Sequence, residues 1–393
     1  MNLFLNQFFY PDSAATSQFL TDLAAELVDR DVPVKVIAAA SEYADVERGE
    51  EIHVETVRTP AFPYSRGIIS RLGSYLAYLA GAAYHTLSTS QPRLVLTMTT
   101  PPGLAVIGYL AKRFRGARHI SWEMDVYPDV AIDLGVVSKN GILARITRKV
   151  LDHALRNADA VIVLGPCMKR RLIARGIPED RIHIVHNWAD SRLIKPRPFP
   201  DGPLTILYSG NLGRAHDVAT VLNVLGVTPC HWIFAGGGPQ RKTLEKYCRE
   251  TMISNVEFRG YSALDKLGAS LAECHIGLVT QKLETCGSVV PSKTYGIMAA
   301  GRPVLYIGSR YATVADLIRE HRCGWQVDPG DTYALRHLIE HLDRHRDEVF
   351  EAGERAREAL VRYYDKPIAL AQLCEVLGVP APVAKKDYTR ATA

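Results

Sequence analysis

LETCGSVVPSKTYGIMAAGRPV, residues 283–304, is the stretch whose reading decides the fold. It opens as a loop through Cys286, Gly287 and Ser288 and turns at Val290-Pro291-Ser292. Ser292 has a good helix-capping side chain, since its hydroxyl can accept a backbone N–H that the first helical turn leaves unpaired. Lys293 to Ala300 reads as a short helix with small residues on one side, closed by Gly301. Pro303 to Ile307 reads as a buried strand. A loop, a helix N-terminus and a lysine in its first turn make a seat for a phosphate. The same order of elements is also an ordinary passage of an α/β domain, and the stretch alone does not choose between the two.

Upstream, two further loops join strand to helix through glycine. Leu204 to Tyr208 reads as a strand running into SGNLGRAHD (209–217). His231 to Phe234 reads as another, running into Ala235-Gly236-Gly237-Gly238-Pro239. Glycine lets a backbone approach a phosphate closely, and a following helix end favours negative charge. Neither loop is GxGxxG or a Walker loop. Two such loops and a lysine-bearing helix within one half of the chain are specific as a set. Val256 to Phe258 and Ile276 to Val279 read as further strands, and Pro367 to Leu377 as a last helix.

The polar, proline-rich segment 191–203 (prolines at 196, 198, 200 and 203) reads as a linker. Before it the chain alternates strand and helix in the same way. Asn2 to Asn6 is a strand, QFFYPDSAAT (7–16) a loop, Ser17 to Asp29 a helix with apolar residues at helical spacing, and Val32 to Ala38 a strand. That βαβ opening predicts a doubly wound parallel sheet whose crevice lies at the C-terminal strand ends. The edge formed there includes Asp12 and Ser13. It also includes Asp125, Tyr127 and Asp129, which follow the strand His119 to Trp122; Asp129 is equally placed to cap the next helix. Ile142 to Arg156 is an amphipathic helix and Ala160 to Leu164 a buried strand. Phe62 to Leu87 is nearly uncharged, with Arg66 and Arg71 at its start. It reads as a buried helix, or as one resting on a bilayer with its arginines toward lipid phosphate.

Composition bounds the function. The chain has 393 residues, 47% hydrophobic and 23% charged, with a net charge of +5. Length and composition predict a globular protein of two domains. The charge suits anionic substrates or an anionic membrane surface; no basic, aromatic-studded repeat or zinc-finger spacing points to nucleic acid. Seven cysteines, an odd number and never in CxxC spacing, fit a reducing compartment and no metal framework. His183 and His186 have no third ligand nearby in sequence. The N-terminus lacks a signal-peptide pattern, and nothing approaches the ~20 apolar residues of a spanning helix. A cytoplasmic protein is expected.

YSGNLG, IFAGGGP, VEFRGY, VPSKTYGIMAAGRPVL and CGWQVDPGD, in that order, resemble glycosyltransferase family 4. FFYPD, TTPPG, WEMDVYPD and VHNWAD in the first half fit as well, so the resemblance covers nearly the whole chain. It is closest to the branch of bacterial O-antigen and capsule sugar transferases. The resemblance implies a GT-B fold: two Rossmann-like α/β domains facing across a cleft. The first, 1–195, would bind the acceptor, and the second, 196–366, the nucleotide sugar. A crossover helix, 367–378, would return to the first domain, leaving a tail at 379–393. It further implies transfer of a sugar, with retention and without a metal, from a nucleoside diphosphate sugar (UDP most often) to a hydroxyl. The acceptor would be a glycan, a lipid-linked sugar or a small molecule, with peripheral contact at the inner face of an anionic membrane.

Carried onto this sequence, the resemblance makes Lys293, Arg214 and Asp125 the catalytic set. Gly210, Asn211, Gly213, Gly236, Gly237, Glu284, Ser288, Ser292 and Tyr295 become donor contacts. Asp12, Ser13, Tyr127 and Asp129 become acceptor contacts. The departures are specific. The two glutamates that the family carries eight apart fall here on Ser288 and Gly296, so ribose binding differs or shifts to Glu284. The family's arginine and lysine of the first donor loop fall on Asn211 and His216, leaving Arg214 and Lys293 to meet the diphosphate. Two other readings share the fold: a nucleotide-sugar binder without catalysis, which the absent glutamates keep open, and a nucleotide-sugar 2-epimerase. The second lacks its expected carboxylates and histidine in SGNLGR and PSKTYG.

Overall fold

The computed structural model describes residues 1–12, 14–40, 53–60 and 68–380. Ser13, Arg66 and the tail beyond residue 380 lie outside the described residues. Leu3, Phe4 and Leu5 are all fully buried, a continuous apolar run that suits a parallel strand covered on both faces. They belong to β1 (Asn2–Leu5), an interior strand of a sheet completed by β2 (Val34–Ala39), β3 (Glu55–Thr59), β4 (Leu94–Thr97), β5 (Arg118–Glu123), β6 (Ala160–Val163) and β7 (Ile182–Ile184). Its order is β3-β2-β1-β4-β5-β6-β7, with every described pair parallel. The second sheet holds β8 (Leu204–Ser209), β9 (Cys230–Ala235), β10 (Val256–Arg259), β11 (Ile276–Thr280), β12 (Val304–Ile307) and β13 (Gly324–Val327). Its order is β10-β9-β8-β11-β12-β13, again parallel.

Each sheet reverses direction at its first strand, so a crevice opens at the C-terminal ends beside β1 and beside β8. The two crevices face one another. This is the GT-B arrangement, and the loops after β1, β5, β8, β9 and β11 are the ones delivered to the cleft.

Long-range contacts hold the halves in place. The helix Lys366–Leu377 leaves the second domain and packs on the helix Ala15–Asp29, burying Leu370, Leu373 and Leu377 in the first domain's core. Lys366 Nζ donates to Asp22 at 2.7 Å, and Trp188 Nε1 donates to the same carboxylate at 2.9 Å. The proline-rich segment is anchored, not loose. Buried Arg302 donates to the carbonyls of Arg197 and Pro198, and Arg357 donates to those of Ser191 and Ile194.

The edge strand β3 and the helices Thr313–His321, Thr332–Arg344 and Arg346–Ala359 go beyond the elements read from the sequence. β3 is polar, with Glu55 and Arg58 exposed, because an edge strand faces water and carries no apolar run. Helix Ile68–Ser88 buries only one face, Ser74, Tyr78, Ala82 and Thr86; Leu72, Leu76 and Tyr84 on the other side are exposed. Burial therefore accounts for half of it.

Candidate functional site

The two glycine loops of the second domain pack against each other. Gly210 N–H donates to the carbonyl of Ala235 at 2.8 Å, and Leu212 N–H to that of Gly237 at 2.7 Å. A Cβ on Gly236 would stand 2.2 Å from the Gly210 oxygen, and one on Gly238 would stand 2.6 Å from both Asn211 Oδ1 and the Leu212 oxygen. Both glycines also have a positive φ, +119° and +113°, which side chains rarely adopt. The glycines at 236 and 238 thus serve loop-on-loop packing. This corrects the expectation for two donor contacts: the N–H groups of Gly210 and Gly236 are already bonded, the latter to Arg259 O at 3.1 Å. Those of Asn211, Gly213 and Gly237 have no acceptor among the described residues and remain able to meet an oxygen.

Lys293 stands beside these loops, at the start of the helix Lys293–Ala299. Its Nζ donates to the hydroxyl of Tyr208, lies 3.9 Å from the centre of that ring, and would be 3.6 Å from a Cβ on Gly210. Tyr208 in turn donates to the Asn211 carbonyl at 2.8 Å. No carboxylate pairs with Lys293 among the described residues. The side chain is half-buried by surface yet enclosed by cleft walls, and this burial lowers its pKa to about 7. His216 is held neutral beside it, with a pKa lowered to about 3 by burial and by Lys293; its Nδ1 lies 2.7 Å from Thr280 O. The site thus presents an uncompensated amine beside free backbone N–H groups. Such an arrangement attracts an anion. Arg214 is exposed and makes no hydrogen bond or ion pair among the described residues. Tyr208, which holds the Lys293 amine, is absent from the residues singled out by motif; an aromatic at the strand end beside a lysine-bearing helix carries no signal until the fold joins them.

In the first domain, burial raises the pKa of Asp125 to about 6, and its N–H donates to Thr99 Oγ1 at 3.3 Å. Glu123, at the end of β5, is raised to about 7 by burial although Ser121 Oγ donates to it at 2.6 Å. Glu123, Thr99, Gly103 and Tyr127 line a cavity of about 20 Å³, room for one water and not for a sugar. Asp129 is corrected as an acceptor contact. It is buried and held by Arg148 at 2.6 Å, Arg171 at 2.8 Å and Arg175 at 3.6 Å. Burial disfavours its charge, but these arginines outweigh that and hold its pKa below the usual range. Its carboxylate bonds to those arginines, and the position that precedes its short helix belongs to Pro128. Asp12 is likewise buried in its loop, its Oδ2 accepting the N–H of Phe9 at 3.1 Å.

The loop at 286–290 joins the domains. Asp125 forms an antiparallel bridge with Val289, and Val126 N–H donates to the Ser288 carbonyl at 2.8 Å. Arg171 Nη1 donates to the Cys286 carbonyl at 2.9 Å. Gly287 (φ +79°) sits so close to Cys167 that a Cβ would be 2.8 Å from its carbonyl oxygen. Ser288 and Tyr295 are corrected as donor contacts, because both are fully buried with partners inside the protein. The Ser288 hydroxyl donates to Thr285 O at 3.1 Å, and the Tyr295 hydroxyl lies 3.3 Å from His186 Nδ1. Ser292 occupies the position expected of a cap but has helical backbone angles and makes no capping bond; it is half-buried at the helix start, available to a ligand. Glu284 is exposed on the turn Leu283–Thr285 without a partner among the described residues. Away from these loops, His341, His345 and Glu348 bring ligand atoms within 4.8 Å of one another, the one such group among the described residues.

Comparisons with known proteins agree with this architecture. Residues 15–188 match the Glycosyl transferase 4-like domain family, and residues 190–359 match Glycosyl transferases group 1. A probable glycosyltransferase, WbjE of Pseudomonas aeruginosa, is 26% identical over 262 residues, 63% of this chain and 66% of that one. Across the curated relatives that it matches, the chain spans between 56% and 66% of their length. Among solved structures, the sucrose-phosphate synthase of Thermosynechococcus elongatus superposes with a TM-score of 0.74 at 16% identity, covering 96% of this chain and 98% of that one. HepE of Anabaena, solved with UDP and glucose, superposes at 0.72 and 16% identity, covering 96% and 99%. With two family matches that meet at the linker and a shared two-domain fold, the chain belongs to glycosyltransferase family 4.

Proposed function

We propose that this protein transfers a sugar from a nucleoside diphosphate sugar, UDP-linked, to an acceptor hydroxyl, with retention and without a required metal. The observation that carries the reading is the amine of Lys293, set between the Gly210 loop and the Tyr208 ring with no carboxylate among the described residues to neutralise it. Breaking the anomeric bond builds charge on the departing diphosphate, and fixed donors in a cleft stabilise that charge. Lys293 would meet it in its protonated form. Arg214 and the free N–H groups of Asn211, Gly213 and Gly237 would supply further donors. Asp125 would orient the acceptor hydroxyl, whose proton passes to the leaving phosphate oxygen as the new bond forms on the same face. HepE, a structural neighbour solved with UDP-glucose, supports the choice of donor. WbjE and the colanic acid and amylovoran biosynthesis relatives support a glycan acceptor. All seven cysteines are free, which favours a cytoplasmic setting.

The test is turnover of UDP-sugars with glycan acceptors by wild type, Lys293→Ala and Arg214→Ala. Each substitution should lower kcat/KM by about 2–4 kcal/mol in transition-state terms. Values within a few-fold of wild type would remove these residues from the mechanism. The absence of a carboxylate at Ser288 and Gly296 favours one rival, a binder without catalysis; tight UDP-sugar binding with no turnover would establish it. Conversion of donor without acceptor would instead mark an epimerase.

A further inference from the structure

Two cysteines from different domains meet at the junction. Cys167 lies in the first turn of the helix Pro166–Ala174 of the first domain, and Cys286 lies on the loop 286–290 of the second. Their segments touch at the backbone. The Cys167 carbonyl oxygen stands 2.8 Å from where a Cβ on Gly287 would be, and Arg171, one turn along the Cys167 helix, donates to the Cys286 carbonyl at 2.9 Å. Gly165 makes a second close approach, since a Cβ there would be 2.2 Å from Thr313 Oγ1 of the second domain. That hydroxyl lies 3.0 Å from Cys167 Sγ, and the Cys167 and Cys286 thiols hydrogen-bond to each other.

The pair is polarised. The hydrogen bond from Cys286 is the main reason the Cys167 thiol is held below its usual pKa; burial opposes it, and Thr313 and Arg170 add to the lowering. The same bond, with burial, pushes the Cys286 thiol up. A thiolate at Cys167 also sits in the first turn of a helix, where backbone N–H groups favour negative charge. Burial raises the other five cysteines, 230, 248, 274, 323 and 374, which makes them packing groups and poor nucleophiles. Cys167 is therefore the nucleophilic thiol of the chain. Cys286, half-buried on a loop delivered to the cleft, is placed to react with it once it is oxidised.

We propose that Cys167 and Cys286 form a reversible disulfide that fastens the two domains together when a peroxide is present. The Cys167 thiolate attacks one peroxide oxygen. An S–O bond forms, the O–O bond breaks, and the hydroxide that leaves takes the Cys286 proton to become water. The Cys286 sulfur then attacks the sulfenic sulfur, forming S–S and breaking S–O, and the second hydroxide takes a proton from solvent. Both sulfurs are oxidised and the peroxide is reduced to two waters. The cross-link holds the loop that leads to Ser292 and Lys293 against the first domain, so the cleft cannot open at that edge. Only the consequence, arrested donor exchange, rests on the transferase reading. The experiment treats the reduced full chain with hydrogen peroxide, alkylates the remaining thiols and maps its peptides without reduction. Wild type should yield a Cys167–Cys286 peptide within one chain, the other five cysteines alkylated, and a higher melting temperature than the reduced form. Dithiothreitol should reverse both changes. Cys286→Ser should stop at a sulfenic acid on Cys167 that dimedone captures, and Cys167→Ser should slow oxidation of Cys286 by at least about tenfold. The wild-type map stands without either variant, so a substitution that fails to fold leaves the test intact. A different cysteine pair, a link between two chains, or both thiols still alkylated under conditions that oxidise free glutathione overturns the proposal. So does oxidation of Cys286 at the wild-type rate in Cys167→Ser. A missing UDP-induced thermal shift in reduced wild type would sink the donor reading and leave the cross-link result standing.

Discussion

The depressed pKa of Lys293 makes donor binding a proton-linked event. In the free protein burial lowers the amine from 10.5 to about 7, so it is half charged near neutrality. A bound diphosphate brings negative charge beside it and restores the charged form. If the complex returns the pKa close to 10.5, affinity follows the fraction of free protein that is already protonated. The Kd for UDP-glucose should then weaken roughly tenfold between pH 6 and pH 8, about 1.4 kcal/mol. The ligand's phosphates are esterified on both sides and lose no proton in that range, so the dependence belongs to the protein. The sign is fixed: binding is strongest below the free-state pKa and declines as pH rises through it. Titration calorimetry in buffers of different ionisation heat should show uptake of about 0.9 proton per UDP-glucose at pH 8. Lys293→Met should bind more weakly at pH 6 by about 1.5–3 kcal/mol and should lose the pH dependence. A Kd that is flat from pH 6 to 8 without proton uptake would refute this account of the site, and so would the same slope in Lys293→Met.

Three other perturbations test the surroundings. Gly236→Ala places a methyl 2.2 Å from the Gly210 oxygen at a φ of +119°; it should cost at least about 2 kcal/mol of stability and abolish UDP-glucose binding, read by denaturant melts and calorimetry. Asp129→Asn leaves Arg148, Arg171 and Arg175 short of one charged partner each. Arg171 and Arg175 keep another carboxylate, Asp133 and Asp152, and Arg148, whose one ion pair among the described residues is with Asp129, is partly exposed to water. The loss at pH 7 should therefore be about 2–3 kcal/mol, below the 3–5 kcal/mol of a wholly stranded buried charge. Because the pKa of Asp129 is depressed, its contribution is complete above the usual carboxylate range. It vanishes as pH falls through the folded-state value, so wild type and variant should converge in acid. Glu123 runs the other way. Its pKa rises from 4.5 to about 7 on folding, so ionising it costs stability as pH climbs through that window, and Glu123→Gln should gain on wild type by up to about 3 kcal/mol between pH 4 and pH 8.

The fold was legible because its central strands are buried on both faces. Leu3-Phe4-Leu5 and Ala160-Val161-Ile162-Val163 cannot be read as anything but interior, and the glycine loops that follow β8 and β9 mark where the strands end. The edge strand β3 was not legible, since ETVRT has no buried face to advertise. The site was legible at Lys293 and only in part elsewhere. Sequence spacing shows that glycine stands at 210 and 236, but not whether its N–H groups are free; pairing with Ala235 and Arg259 decided that. Nor can spacing show that Asp129 meets three arginines from 19 to 46 positions away. Those contacts turn an apparent acceptor carboxylate into a brace between helices.

The missing glutamate at position 288 becomes intelligible through the same kind of contact. Ser288 is fully buried, and its carbonyl is taken by Val126 N–H, while the neighbouring Val289 bridges Asp125. A glutamate there would enter a junction where burial already lifts Asp125 to about 6 and Glu123 to about 7. A third carboxylate would add repulsion and a further desolvation cost, and Arg171, which donates to this loop, is already committed to Asp129 and Asp133. Serine, whose hydroxyl is satisfied by Thr285 O, adds neither. The first domain brings the Asp125 carboxylate to the edge of the loop that holds Ser288, through the Val289 bridge. A motif comparison does not see such a group, because it looks for charge at one position of one chain segment. The two residues are 163 positions apart, and only the closed junction between the domains brings them together.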